Sequence, residues 1–203
     1  MHEIRRKLIN TKEKKILLIV LDGLGGLPFP LKTELDAAKT PNLNKLIKKS
    51  ETGAHIPISN GLTPGSGSAH LALFGYDPLR FNVGRGVLEA LGLDIKITNK
   101  DLAIRGNFAT VKKVGTRLIV SDRRAGRIDT KSNKRIVDTL KQNIKKIGNV
   151  LVDFESGLEH RFVCKLRFNK KLSYEQCLIS DTDPQEVGVS PLKPRNLNKK
   201  SLN

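Results

Sequence analysis

A carboxylate, a hydroxyl and a set of guanidinium groups are the side chains of this sequence best placed to do chemistry. Asp22 closes the aliphatic run Ile16-Leu17-Leu18-Ile19-Val20-Leu21 and precedes Gly23, Gly25 and Gly26. A carboxylate at the carboxyl end of a buried strand sits where ligands of parallel sheets gather, and it is a hard oxygen ligand for a divalent cation. Alternatively, Asp22 caps the turn that the glycines make. Ser66 lies in Thr63-Pro64-Gly65-Ser66-Gly67-Ser68-Ala69-His70-Leu71, where Pro64 and Gly65 break a helix and the residues that follow favour one. A hydroxyl at a helix N-terminus faces free N–H groups that attract an anion such as a phosphoryl group. Serine becomes a nucleophile only with a base or a metal, and no His/Asp relay follows from the spacing, which favours a metal. The competing reading makes Ser66 or Ser68 an ordinary N-cap. Asp122-Arg123-Arg124-Ala125-Gly126-Arg127 places three guanidinium groups beside a turn-forming glycine. Such groups grip carboxylate and phosphate oxygens in bidentate fashion; the bland alternative is a solvated loop.

Elements must hold these groups in place. Six consecutive aliphatic residues before Asp22 predict a strand buried on both faces of a parallel sheet. Thr40 and Pro41 predict a helix from Pro41 to Lys49, and Val87 to Leu91 a short helix ended by Gly92. Beyond Asp101 the pattern changes. Leu102 to Val111, Arg117 to Val120, Asn149 to Phe154 and Arg161 to Phe168 read as strands, with Thr130 to Lys146 an amphipathic helix whose Ile136, Val137, Leu140, Ile144 and Ile147 should pack on the sheet. No internal repeat is present, and the polar tail Arg195 to Asn203 reads as disordered.

The 203 residues suffice for a real core, with room for one domain or two small ones. Cys164 and Cys177 form no metal-binding pair and no disulfide framework, which fits a reducing compartment. The basic Met1 to Lys15 stretch lacks an apolar signal core, and no apolar run is long enough to span a membrane, so a cytoplasmic protein is expected. A net charge of +17 and a pI near 10.1 also raise nucleic-acid binding. Yet the lysines of Lys12 to Lys15, Lys45 to Lys49, Lys141 to Lys146 and Lys199-Lys200 are not interleaved with aromatics, and no nucleic-acid motif appears. They read as solvated faces whose field would steer an anionic small-molecule substrate.

Seven ordered motifs carry a resemblance along nearly the whole chain. They are Val20-Leu21-Asp22-Gly23-Leu24-Gly25, Lys39-Thr40-Pro41-Asn42-Leu43, and Pro64-Gly65-Ser66 with Ala69 to Pro78. They continue with Gly84-Arg85-Gly86 and Glu89-Ala90-Leu91-Gly92, Arg105 to Thr110, Asp122 to Ile128, and Ser180-Asp181-Thr182-Asp183-Pro184. The sequence resembles the archaeal-type cofactor-independent phosphoglycerate mutases of the alkaline phosphatase superfamily. That resemblance implies an α/β fold: a partial doubly wound, alkaline-phosphatase-like catalytic domain at residues 1–98, and a smaller α+β inserted substrate-binding lid domain at 99–190. Residues 191–203 would begin the return to the catalytic domain.

It further implies that Ser66 takes the phosphoryl group from 3-phosphoglycerate, that the glycerate is reoriented, and that the group returns to the 2-hydroxyl. Two divalent ions, manganese or magnesium, would serve the reaction, with Asp22 and Ser66 among their ligands and no 2,3-bisphosphoglycerate required. Arg123, Arg124 and Arg127 become substrate-clamp candidates. Asp122 orients an arginine or contacts a glycerate hydroxyl, and Arg105 and Asn107 are weaker substrate-binding candidates. Arg85 holds its turn or faces the phosphate, and His70 is read as a structural histidine. His160-Arg161, Asp181 and Asp183 match family patterns without an assignable role.

Two positions depart from that pattern: Gly26 and Gly67 stand where aspartate is more frequent. The remaining metal ligands are expected from a C-terminal half beyond Pro191, so the residues present are expected to be weakly active or inactive alone. Two other functions stay open. One is a related phosphohydrolase, in which water receives the phosphoryl group, and the other is a non-catalytic phosphate-binding remnant. Oligomeric state is not legible.

Overall fold

The computed structural model describes Lys7, Glu13 and residues 15–21, 24–62, 65–81 and 83–198. The chain divides into two compact units, Met1–His55 and Ile56–Asn203. In the first, helix α1 (Glu34–Ala37) is closed by a reciprocal cap: Thr33 Oγ1 accepts from the Asp36 amide while Asp36 accepts from the Thr33 amide. Helix α2 (Pro41–Ile47) starts as expected, with Thr40 at the N-cap and Pro41 at the first position. The run Ile16–Leu21 does not form the expected strand, and its side chains lie exposed, Ile16 at 92% and Val20 at 52%. A strand buried on both faces exists only with neighbours on each side, and no described residue pairs with this one.

The second unit is built on antiparallel pairing. Strands β1 (Asp101–Asn107), β2 (Thr110–Val114), β3 (Arg117–Asp122), β4 (Lys146–Ile147), β5 (Val150–Ser156) and β6 (Arg161–Arg167) form a four-stranded sheet ordered β1-β6-β5-β4 and a separate β2-β3 ribbon. All described pairings are antiparallel, giving a mixed α/β arrangement in which no parallel, doubly wound sheet is present among the described residues. The single strand expected over Leu102 to Val111 is two. Its first half pairs with β6 and its second with β3, and the change of partner falls at Phe108-Ala109.

The second unit also contains helices α3 (Ser66–Leu73), α4 (Arg85–Gly92) and α5 (Thr130–Asn143). Asp129 caps α5 by accepting from the Ser132 amide at 2.9 Å. Its apolar stripe lays Val137 against Val152 and Phe154 of β5, with Leu140, Phe108 and Phe162 packed around them. Ile144 caps the end of α5, and Ile147 lies in β4 rather than on the helix. Helix α4 packs on β1. A Cβ at Gly86 would stand 2.6 Å from the Ala103 carbonyl carbon, so only glycine permits that approach. The described part of the tail is bonded: the Ser180 amide donates to Arg195 O, the Leu197 amide to Leu178 O, and the Asn198 amide to Asn196 Oδ1.

The outer end of the sheet is fastened by one ion pair. Asp101 and Arg167 face each other in register, and Arg167 donates to both carboxylate oxygens at 2.7 and 2.9 Å. The Thr98 amide and hydroxyl add two further donors. Arg167 therefore holds the Asp101 carboxyl well below the usual carboxylate range, against the opposing effect of burial. A depressed carboxylate contributes stability that is present above its unfolded value and lost as pH falls toward its folded one. Asp101→Asn should lower unfolding free energy at pH 7 by about 2 kcal/mol. Urea titrations from pH 7 down to pH 3 should show wild-type losing this advantage below about pH 4, while the variant lacks that part of the acid dependence.

Candidate functional site

The helix after the Pro64-Gly65 breaker begins at Ser66, with Gly65 as N-cap in an extended conformation and no side-chain cap. Ser66 thus occupies the first helical position, where backbone N–H groups lack intrahelical partners. Ser68 is not the N-cap either, since its hydroxyl donates to Gly65 O at 2.9 Å. Asp22 lies outside the described residues.

A cleft of about 480 Å³ opens beside this helix. Gly67 and His70 of α3, Arg85, Leu88 and Glu89 of α4, and Arg105 of β1 line it. A Cβ at Gly67 would come 2.9 Å from Leu88 Cδ1, so an aspartate at this position would require Leu88 to move. Arg105 is three-quarters buried and reaches Glu89 at 4.0 Å. Burial, and then the charge of Arg85, lower its proton affinity, while Glu89 raises it. Asn107 is exposed at the end of β1, opposite Arg161. The sequence leaves Arg85 as a turn residue or a phosphate contact, and it lines the same cleft as Arg105.

The arginine motif forms a tight turn after β3. Ala125, Gly126 and Arg127 take successive positive φ angles of 48°, 64° and 52°, a conformation that costs about 1 kcal/mol or more at each non-glycine residue. The Asp122 carboxylate offsets it by accepting from the Arg124 and Gly126 amides, each at 2.7 Å, and those bonds lower its proton affinity. Arg123 points into a second loop. It donates to both oxygens of Asp183, at 2.7 and 2.8 Å, and to Gln185 Oε1. Asp183 is held below its ordinary value by Arg123, and its Oδ1 also accepts from the Gln185 amide. Asp181 in turn accepts from the Asp183 amide. Main-chain bonds between Val120 and the segment Gly188-Val189 fasten the two loops side by side. The Ser180-Asp181-Thr182-Asp183 motif is therefore the support of the arginine turn.

Arg124 and Arg127 are exposed, and neither makes an ion pair or side-chain hydrogen bond with other described residues. Beside them lies a group that spacing did not assign, His160, 3% exposed with a buried Nδ1 that has no hydrogen-bond partner among the described residues. The sequence shows the histidine and arginine as a pair at a strand start. What spacing does not carry is the burial of the ring. Among the described residues no three His, Cys, Asp or Glu side chains come together to hold a metal ion, so these residues do not by themselves assemble a metal site.

A family model described as 2,3-bisphosphoglycerate-independent phosphoglycerate mutase matches residues 48–203. The chain belongs to this family. A relative from Aquifex aeolicus (strain VF5), named as a probable 2,3-bisphosphoglycerate-independent phosphoglycerate mutase, is 54% identical over 197 residues, covering 97% of this chain and 48% of the relative. One of the same name from Thermus thermophilus is 49% identical over 200 residues, 98% of this chain and 48% of that protein. Among solved structures, the cofactor-independent phosphoglycerate mutase from Thermoplasma acidophilum is 37% identical, with a TM-score of 0.48 over 64% of this chain and 33% of its own. The chain spans about half the length of the curated relatives it matches.

The turn's dependence on one carboxylate is measurable. Asp122→Ala removes the acceptor for the Gly126 amide, and hydrogen exchange there should accelerate on the order of tenfold, while the amides of α5 stay protected.

Proposed function

We propose that this chain carries the phosphoryl-accepting serine and the substrate-gripping arginines of a 2,3-bisphosphoglycerate-independent phosphoglycerate mutase acting in glycolysis and gluconeogenesis. The observation that supports this reading most strongly is the arginine turn. Two exposed guanidinium groups, Arg124 and Arg127, stand on a loop whose geometry is fixed from beneath by Asp122 and from the side by the Arg123–Asp183 fork. Rigid presentation of planar cations is what recognition of a carboxylate and a phosphate requires.

In this reading Arg124 and Arg127 bind the anionic groups of phosphoglycerate, and Arg123 and Asp122 position them. Arg105 and Asn107, near the cleft and at the end of β1, are further substrate contacts. The hydroxyl of Ser66 attacks phosphorus: the bond from phosphorus to the substrate's C3 oxygen breaks and a bond to the serine oxygen forms. The serine proton ends on the departing hydroxyl of glycerate. The 2-hydroxyl of the reoriented glycerate then attacks phosphoserine in the reverse sense. The open amides of the first turn of α3 stabilise the transferred group.

The resemblance also implies two divalent ions, manganese or magnesium, with Asp22 and Ser66 among the ligands. The described residues do not form such a donor set, and no step above passes through a metal. We further assign residues 1–98 to the beginning of an alkaline-phosphatase-like, doubly wound catalytic domain, 99–190 to an inserted lid, and 191–203 to the return. The cytoplasm is the proposed location. Among the described residues no helix is long and apolar enough to cross a membrane.

The test joins this chain to the remaining length of the Aquifex aeolicus relative and follows conversion of 3- to 2-phosphoglycerate by a coupled assay with manganese. Turnover is expected, with complete loss in Ser66→Ala and a rise in KM on the order of tenfold or more in Arg127→Ala. Release of inorganic phosphate in place of 2-phosphoglycerate would replace the mutase reading with a phosphohydrolase. Full activity in Ser66→Ala would remove Ser66 from the chemistry.

A further inference from the structure

We propose that His160 is a binding residue of the arginine site, its Nδ1 donating a hydrogen bond to the anion gripped by Arg124 and Arg127. This inference rests on the reading of the arginine turn as an anion site.

The ring is held in place with unusual thoroughness. The Asn133 side chain, itself fully buried, donates to the carbonyls on both sides of the histidine, to Glu159 O at 2.5 Å and Arg161 O at 2.6 Å. Asn133 Oδ1 is occupied by the Ser156 hydroxyl at 2.8 Å. The Phe108 amide donates to His160 O at 2.8 Å, and the Glu159 amide donates to Thr130 Oγ1 at 3.1 Å. Glu159 itself adopts φ +54° to make the turn. Three elements, α5, β6 and the end of β1, thus fix the main chain that carries the imidazole. All that bonding leaves Nδ1 buried and unpartnered. A buried ring nitrogen without a hydrogen bond is unfavourable and rare, and it has the capacity to take a partner such as the oxygen of an ion.

The surroundings specify the partner. Positive charge acts on His160 from Arg161, the next residue and the first of β6, and from Arg124 and Arg127 on the turn after β3. Asp122, at the end of β3, lies within the field of the imidazole, and Glu159 is the adjacent carboxylate. Burial first, and then Arg161, hold the ring below its ordinary proton affinity, with Arg124 and Arg127 adding to the effect and Glu159 opposing it. The nearest charged oxygen, Glu159 Oε2, stands 3.7 Å from Nδ1, too far for a hydrogen bond, on a side chain that is two-fifths exposed and able to turn outward. A negatively charged oxygen therefore already stands near Nδ1, and an oxygen of a bound anion would take its place at bonding distance.

Proton linkage gives this arrangement a signature. An anion neutralises the arginines and bonds to Nδ1–H, so the ring's proton affinity rises on binding. Binding then takes up a proton in the window between the lower free value and the higher bound value. Affinity for an anion of fixed charge is fully present below the free value and weakens as pH rises through the bound one.

The probe is sulfate, which keeps one charge state from pH 5.5 to 8, added to the full 203-residue chain labelled with ¹⁵N-histidine. His160 Nδ1 should move toward the imidazolium resonance as sulfate saturates. Calorimetry in buffers of different ionisation enthalpy should show proton uptake that His160→Gln abolishes, with about tenfold weaker binding. Glu159→Gln should bind sulfate at least as tightly as wild type. An Nδ1 resonance unmoved by saturating sulfate overturns the inference without any variant, as does equal proton uptake in wild type and His160→Gln. If Nδ1 responds to Glu159→Gln and not to sulfate, Glu159 is its partner and the inference falls. Weaker binding in Arg127→Ala with a silent His160 removes only the histidine, whereas unchanged binding in Arg127→Ala, or no sulfate binding at all, removes the anion site as well. A failed mutase assay with the histidine signature intact leaves His160 as a residue of an anion-binding site.

Discussion

The fork between Arg123 and Asp183 decides the shape of everything around the candidate site. Two parallel N–H···O bonds at 2.7 and 2.8 Å join a turn after β3 to a loop sixty residues further along the chain. Neither segment has a regular ladder of its own at that point. The turn contains three successive residues at positive φ, and the loop is irregular apart from the bonds between Val120 and Gly188-Val189. A bidentate guanidinium–carboxylate pair fixes angle as well as distance, which a single hydrogen bond does not. With Arg123 committed to this task, Arg124 just before the left-handed segment and Arg127 at its end are left facing solvent.

Electrostatically the unit is asymmetric. Carboxylates near the site are engaged: Asp122 by two amides, Asp183 by Arg123, and Asp181 by an amide of the same loop. With Glu89 and Glu159 included, five carboxylates stand among six arginines, at 85, 105, 123, 124, 127 and 161. Arg105 records the consequence, since burial, Arg85 and Arg161 push against its charge while Glu89 and Asp181 relieve it. Like charges held close are unfavourable in the free protein. The net charge of +17 adds a long-range positive potential, screened beyond about 10 Å at moderate salt.

How much of this was legible follows from what period and spacing can encode. The strands at Arg117, Val150 and Arg161 and the helix at Thr130 were visible because each has one wet and one dry face, and alternation reports a face. The break at Phe108-Ala109 was not visible. Both halves keep a strand-like composition, and only the change of partner from β6 to β3 separates them. Ile147 fits the helical stripe in the sequence but belongs to β4, because the helix stops at Asn143 and Ile144 takes the cap. The run Ile16–Leu21 carries the opposite lesson: six aliphatic residues announce a need for burial and say nothing of which strands must supply it. In the site, the helix start at Ser66 and the arginine cluster could be read from breakers and residue type. The role of Asp183 as the anchor of Arg123, and the burial of His160, depend on contacts between distant segments and leave no local signal.

Asn133 shows how such contacts are made from residues that look unremarkable in the sequence. It sits in the first turns of an amphipathic helix, where a polar residue ordinarily faces water. Here it is fully buried, because the β5–β6 turn folds over it and uses both its donors and its acceptor. A buried amide with every group satisfied specifies position more sharply than an apolar side chain of the same size, which tolerates sliding. The same residue that holds the β5–β6 turn to the helix also aligns the strand start bearing His160 and Arg161. Packing of α5 on the sheet and placement of cations beside the arginine turn are thus one structural event, and the hydrophobic stripe of Val137 and Leu140 anchors both.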